Sequence, residues 1–329
     1  MSLPRLGCSA AIAIGAAVTI VSVASHAQQN GYPSKPIRIV VPFTPGGTSD
    51  VLARMIGSKM GEGLGQPVVI ETRTGAGGTI GAALVAKATP DGHTLLISSA
   101  AFTISAALNP NLPYDPLKDF SGITRLGYST TALISNSSFG VKTVKDLVAM
   151  AQAKPGHVIF SHAGVGSSTY MNGERFRLAA GIQVKHVGFK GASDAMLEVL
   201  AGRVQFAIVS LISSLVHIKD GKLVALAVGM PERSKLLPDV PTIAETIPGY
   251  ARDGSHSLLA PAGTPRPVLM KISNEVKRIF ALPDIKEKFQ NVDFVAAPTS
   301  PEEHDRILRA DIETFSGVVR LAGLRGSDK

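Results

Sequence analysis

Apolar residues along this chain fall in short continuous runs that alternate with stretches of helical spacing. Residues 37–43 form a run with a single Arg, bounded by Pro36 and by Thr44-Pro45-Gly46-Gly47. Such a run predicts a strand buried on both faces. Thr48 and Ser49 are capping residues, and Asp50 falls in the first turn of the helix that follows. Val51, Leu52, Met55, Ile56, Met60 and Leu64 then recur at helical spacing. Residues 68–72 and 94–98 predict two more strands, separated by a Gly-rich loop at 75–78 and a helix from Thr79 to Ala88. Repeated strand, turn and helix predict an open, largely parallel α/β sheet.

The alternation resumes further on. Thr143 caps a predicted helix to Lys154, residues 158–161 form a strand, 163–167 a Gly-rich turn, and 168–180 a helix. Strands at 184–187 and 206–209 flank a helix at 193–201, and 224–228 is another strand. The Pro-rich stretch 231–248 predicts no element, and the tail reads as two helices, 267–281 and 301–321. That tail is too long for the second sheet alone, so the chain is expected to return to the first. The pattern predicts two α/β lobes joined by two crossings, near 127–130 and 248–253. Lobe 1 comprises residues 28–128 and 251–329, and lobe 2 residues 129–250.

The first 27 residues predict a cleaved export signal. One charge, Arg5, precedes an apolar run at 10–23, and Ser25-His26-Ala27 places small residues at a cleavage site. A membrane anchor is the alternative reading; the run is short for a bilayer and a polar segment follows at once. Lipid attachment at Cys8 is disfavoured because Cys8 precedes the run. Beyond the leader no segment approaches about 18 uninterrupted apolar residues, so the exported chain reads as soluble. Composition then changes the picture. The 329 residues carry a formal net charge of +8, one Cys and no Trp. Removing the leader leaves 302 residues, 32 basic against 25 acidic, and no Cys. This excludes a disulfide framework, thiol nucleophiles and thiolate metal sites, and suits an oxidising compartment. An apolar fraction of 45% excludes disorder.

Ligands of open α/β sheets sit at the carboxyl ends of strands, where helix N-termini present unpaired N–H groups. Four loops meet that description: residues 44–50, 75–79, 163–169 and 190–193. Each combines Gly with Ser or Thr, so backbone can approach a ligand closely while hydroxyls donate to it. Pro45, Gly46, Gly47, Thr48 and Asp50 are candidates from the first loop, Gly78 from the second, and Ser99 from the end of the third strand. Gly166, Ser167, Ser168 and Thr169 come from the third loop, Lys190 and Gly191 from the fourth. One such loop is an ordinary turn; four in equivalent places predict an anion-binding cleft. Enzyme signatures are weak. Gly75, Gly77 and Gly81 are spaced one residue too long for a dinucleotide fingerprint, and there is no Walker A sequence or Gly-x-Ser-x-Gly elbow. No His-Glu-x-x-His occurs, and His157 and His162 fall on opposite faces of a strand. Scattered basic residues and few aromatics disfavour nucleic acid.

The sequence resembles the Bug (TctC-type) family of tripartite tricarboxylate transporter substrate-binding proteins nearly end to end. The resemblance is carried by Tyr32-Pro33-Ser34-Lys35-Pro36-Ile37-Arg38, Gly46-Gly47-Thr48-Ser49-Asp50, Gly65-Gln66-Pro67-Val68-Val69, Pro113-Tyr114-Asp115-Pro116-Leu117, Leu237-Pro238-Asp239-Val240-Pro241-Thr242 and Leu259-Ala260-Pro261-Ala262-Gly263-Thr264-Pro265. It implies a type II periplasmic binding protein fold, two α/β lobes with a ligand cleft between them. It also implies that loops 45–50 and 164–169 hold a ligand carboxylate through N–H groups, hydroxyls and waters.

Three places depart from the family pattern: Val209-Ser210 where an acid is usual, Tyr170 where a His often stands, and Gly254-Ser255-His256-Ser257 where a large aromatic is common. Loss of the acid disfavours an amino acid ligand. Ser210, Ser213, His256 and Ser257 are candidate donors to a second carboxylate, so a dicarboxylate such as terephthalate is expected, with a tricarboxylate as alternative. The implied role is a periplasmic receptor that closes on a carboxylate and delivers it to membrane permease subunits, without cofactor, metal or catalytic residue. Two alternatives stand beside it. One is a receptor presenting its closed form to a sensor kinase. The other is an exported α/β enzyme using Ser168 or Ser210 with His162 or His256.

Overall fold

Ile37–Val41 forms β1, with Arg38 alone among its residues not buried. Ile37, Ile39 and Val41 point to one apolar layer and Val40 to the other, the alternation that period-two geometry requires. The computed structural model describes residues 31–43, 45, 47–250 and 254–324. The predicted leader lies outside the described residues, as do Gly46 and residues 251–253 of the second predicted crossing.

After β1 come α1 (Thr48–Leu64), β2 (Val68–Thr72), α2 (Thr79–Ala86), β3 (Thr94–Ser99), α3 (Ala100–Leu108) and β4 (Phe120–Ser129). The chain then passes to β5 (Thr131–Asn136), α4 (Val144–Ala153), β6 (Ile159–His162), α5 (Ser168–Ala179), β7 (Lys185–Gly188), α6 (Ala192–Leu200), β8 (Phe206–Ser210), α7 (Leu211–Lys219) and β9 (Leu223–Val228). A one-turn helix, α8 (Ile243–Thr246), precedes β10 (Ser255–Pro261), α9 (Arg266–Ala281), α10 (Pro283–Asn291), β11 (Phe294–Ala296) and α11 (Pro301–Leu321).

Two sheets result, in the orders β11-β4-β10-β3-β1-β2 and β7-β6-β8-β5-β9. They correct the expectation of a largely parallel sheet. β1 pairs in parallel with β2 and β3, but β10 enters antiparallel between β3 and β4, and β11 runs antiparallel outside β4. In the second sheet β5 lies antiparallel to both β8 and β9. For β5 and β10 the reason is the crossings: each enters from the other lobe and runs antiparallel to the strands it joins.

The stretch at 231–248 also differs from expectation. α8 forms there because Thr242 and Glu245 make a capping box, each side chain accepting from the other's backbone N–H.

The core of the first sheet is built with the chain's tail. Leu52, Ile56 and Met60 of α1 and Ile272, Val276 and Ile279 of α9 cover the Ile39 side. Ala82 and Val85 of α2, with Phe102, Tyr114 and Leu308 of α11, cover the Val40 side. Phe160, Phe176, Phe206 and Ile208 centre a separate core in the second lobe. Between β4 and β5 only Thr130 intervenes. Its N–H and hydroxyl donate to the Asp293 carbonyl (3.3 and 3.1 Å), and its own carbonyl accepts from Leu211 N (3.0 Å). One residue is thus anchored in both lobes. The second crossing runs beside it, where Ser129 N donates to the Gly254 carbonyl at 3.0 Å.

Candidate functional site

Loops at the carboxyl ends of β1, β3, β6 and β8 converge on a cleft of about 600 Å³ between the sheets. Two helix N-termini face it from opposite lobes. α1 begins at Gly47, an N-cap that offers no side chain to the first turn, so the free N–H groups there are open to a ligand. α5 begins at Ser167, whose hydroxyl accepts from Tyr170 N at 3.1 Å and donates to the Gly164 carbonyl at 2.7 Å. Thr169 Oγ1 accepts from Ala163 N at 2.9 Å and meets Ser167 Oγ at 2.9 Å. Gly166 has φ +87°, a left-handed conformation strained for other residues. The loop is therefore shaped before any ligand arrives.

His256 sits on β10 at the floor of this cleft. Its Nδ1 lies 3.3 Å from Ser49 Oγ and its Nε2 3.3 Å from Ser129 Oγ. Burial pushes its pKa down to about 4, so the ring is neutral at pH 7 and orients two hydroxyls without carrying charge. The described lining residues include eleven hydroxyl side chains and no Asp, Glu, Lys or Arg. An uncharged lining of this kind holds an anion by N–H and O–H donation and by helix dipoles.

Of the residues singled out in the sequence, Gly47, Thr48, Ser99, Gly166, Ser167, Ser168, Thr169, Val209, Ser210 and His256 line the cleft together. Others stand elsewhere. Pro45 is exposed beside it. Asp50 is buried and bonds to Arg54 one turn later at 3.0 Å. Gly78 lies against Phe43 and Pro42 behind the lining. Lys190 lines a surface hollow with Asp194 and Glu198, and Gly191 is the N-cap of α6, next to Ala192, which does line the cleft. Ser213 donates to the Ser210 carbonyl at 2.8 Å and is not among the lining residues; nor is Ser257. Tyr170 is fully buried, 4.6 Å from the His162 ring, and burial raises its phenol to about 12.

Ser255, within the Gly254–Ser257 departure singled out in the sequence, also lines the cleft, whereas sequence reasoning missed Ser129, Thr131 and Asn172. Asn172 had a usable signal, since it lies four residues after Ser168 on the same helix face. Ser129 and Thr131 reach the cleft only through the first crossing. Replacing Ser167 with Ala should cost about 1 kcal/mol in urea unfolding, the loss of an N-cap, and should weaken ligand binding by loosening the loop.

The sequence matches the family described as "Tripartite tricarboxylate transporter family receptor" over residues 52–324. Protein BugT of Bordetella pertussis is 31% identical over 315 residues, covering 95% of this chain and 97% of that protein. The periplasmic binding protein BugD superposes with a TM-score of 0.76 at 29% identity, covering 89% of this chain and 99% of that one. An R. palustris protein with adipate gives 0.79 at 30% identity, covering 89% and 98%. MatC of Rhodopseudomonas palustris with bound malate gives 0.75 at 29% identity, covering 88% and 100%.

Proposed function

We propose, on the premise that the chain belongs to the tripartite tricarboxylate transporter receptor family, that its cleft captures a small dicarboxylate and delivers it to a tripartite permease. The chain is a periplasmic solute-binding receptor and not an enzyme, as its relatives are. The observation that carries the carboxylate reading is the pair of helix N-termini facing a hydroxyl-rich cleft whose described lining residues carry no charge. One carboxylate between them accepts from the first turns of α1 and α5. Only the closed arrangement lets both lobes contact it, so binding favours closure. Val209, Ile208 and neighbouring Ala side chains give the cleft an apolar wall, which suits a hydrocarbon or flat middle. Structural relatives with adipate and malate support a dicarboxylate. We include terephthalate for its shape, and Ser210 and Ser255 as donors.

The test is titration calorimetry with mono-, di- and tricarboxylates, an amino acid and a sugar. Dicarboxylates are expected to bind; tight binding of the amino acid or sugar with none of the carboxylates would overturn the reading. Gly47→Leu, which puts a side chain into the mouth of α1, should reduce carboxylate affinity at least about 100-fold, a loss of roughly 2.7 kcal/mol. Unchanged affinity would move the site elsewhere. Export is tested by the mass of the periplasmic protein, expected to begin after Ala27.

A further inference from the structure

Three side chains at the floor of the cleft form a chain that ends on a backbone carbonyl. Ser129 Oγ lies 3.3 Å from the Gly254 carbonyl oxygen and 3.3 Å from His256 Nε2, and His256 Nδ1 lies 3.3 Å from Ser49 Oγ. All three side chains line the cleft, and Ser49 and His256 are 4% and 5% exposed. A carbonyl oxygen accepts and never donates. The Ser129 hydroxyl therefore points its proton at Gly254, and its oxygen accepts from His256 Nε2–H. A neutral imidazole carries one such proton, so Nδ1 is an acceptor and takes the Ser49 hydroxyl proton. The opposite tautomer would leave the Ser129 and Gly254 oxygens facing each other with no proton between them. The consequence falls on Ser49. With its proton committed to His256, it turns lone pairs toward the ligand. A carboxylate oxygen set against Ser49 would meet those lone pairs, whereas a ligand hydroxyl would extend the chain by one more hydrogen bond.

We propose that Ser49 selects a 2-hydroxycarboxylate, its Oγ accepting from the ligand hydroxyl while the adjoining carboxylate takes the free N–H groups of α1. This rests on the carboxylate-receptor reading above and adds to it the ligand group that the cleft distinguishes. Ser49 is the second residue of α1. The acceptor thus stands in the turn that holds the first carboxylate, and the hydroxyl it meets belongs on the carbon next to that carboxylate. An ammonium could also donate to Ser49. Among the described lining residues, however, no Asp or Glu is present to pair with it, and a buried cation without a partner is costly. A hydroxyl carries no such cost.

The test joins calorimetry to a direct view of the proton. Matched pairs that differ by one hydroxyl, malate against succinate and 2-hydroxyadipate against adipate, are titrated into the full chain, each hydroxy acid as both enantiomers. The wild type should prefer the hydroxy acid of at least one pair by about fivefold or more, the worth of one neutral hydrogen bond. Ser49→Ala should bring that ratio close to one. Ser129→Ala should also lower it, because Nε2–H loses its acceptor and the ring can instead donate from Nδ1 to Ser49. Nitrogen NMR of labelled histidines reads the tautomer without any ligand, with His256 assigned by the signals lost in His256→Gln. The wild-type ring should carry its proton on Nε2. A proton on Nδ1, no hydroxyl preference in either pair, or an unchanged ratio in folded Ser49→Ala would overturn the proposal while leaving the receptor reading intact. Aspartate bound more tightly than malate would overturn the choice of hydroxyl over ammonium. Failure of every carboxylate to bind the wild type would instead sink the receptor reading and this one with it.

Discussion

Lowering the pH from 7 to 5 is expected to remove several kcal/mol of folding stability, about 2 kcal/mol from each of three buried histidines. His162 and His256 are pushed down to about 4 and His304 to about 3, in each case chiefly by burial. The ordinary value is 6.5. Below pH 6.5 the unfolded chain takes up protons that the folded chain refuses. The stabilising contribution is therefore complete above 6.5 and is lost as pH falls toward 4, at up to about 1.4 kcal/mol per pH unit per histidine. His162 Nδ1 accepts from Gly164 N at 3.1 Å, so protonating it also breaks a hydrogen bond of the ligand-facing loop. Both ring nitrogens of His304 are buried without a hydrogen-bond partner. His304→Leu should accordingly leave stability at pH 7 undiminished and reduce the acid loss by roughly one third. Urea unfolding at pH 7 and pH 5 reads both effects. A midpoint that does not move between those values would refute the assignment.

Gly254→Val should destabilise the protein by about 3 kcal/mol or more, from left-handed strain and a backbone clash together. Gly254 has φ +67°, and a Cβ there would lie 2.3 Å from the Ser129 carbonyl oxygen. That oxygen belongs to the end of β4, and Ser129 N donates back to Gly254 at 3.0 Å. Neither side can yield without parting the two crossings. Gly181→Val is the control: its φ is +62°, but nothing lies within 4 Å of an added Cβ. It should lose only the strain. Thermal melts should separate the pair by roughly 4–8 °C. Equal midpoints would mean that the crossings do not pack as described.

Much of the first lobe was legible because β1 and β3 are near-continuous apolar runs and β2 begins as one. β1, β2 and β3 and the helices after β1 and β2 follow from runs and periods alone. β4 was not, since Gly122, Arg125 and Gly127 interrupt its run and a charged residue reads as solvent-facing. Arg125 is in fact 5% exposed. β10 was not expected as a strand: it starts just past the crossing expected at 248–253, and His256 and two Ser look like loop residues. In the sheet His256 pairs with Ser99 on one side and Gly127 on the other.

The sequence by itself determined the strand–helix alternation, the hydroxyl-rich loops and the family. Each of these is written in neighbouring residues, whose periodicity and capping act over one or two turns. Only the tertiary structure decided where the charges stand. It sends Lys190 to a surface hollow, leaves His256 neutral between Ser49 and Ser129, and buries Arg125 and Arg175 outside a cleft whose described lining carries no charge. The reason is physical: a side chain's charge state and direction depend on the burial and partners it meets. Those partners come from segments far apart in the chain, joined only when the crossings bring the two lobes together.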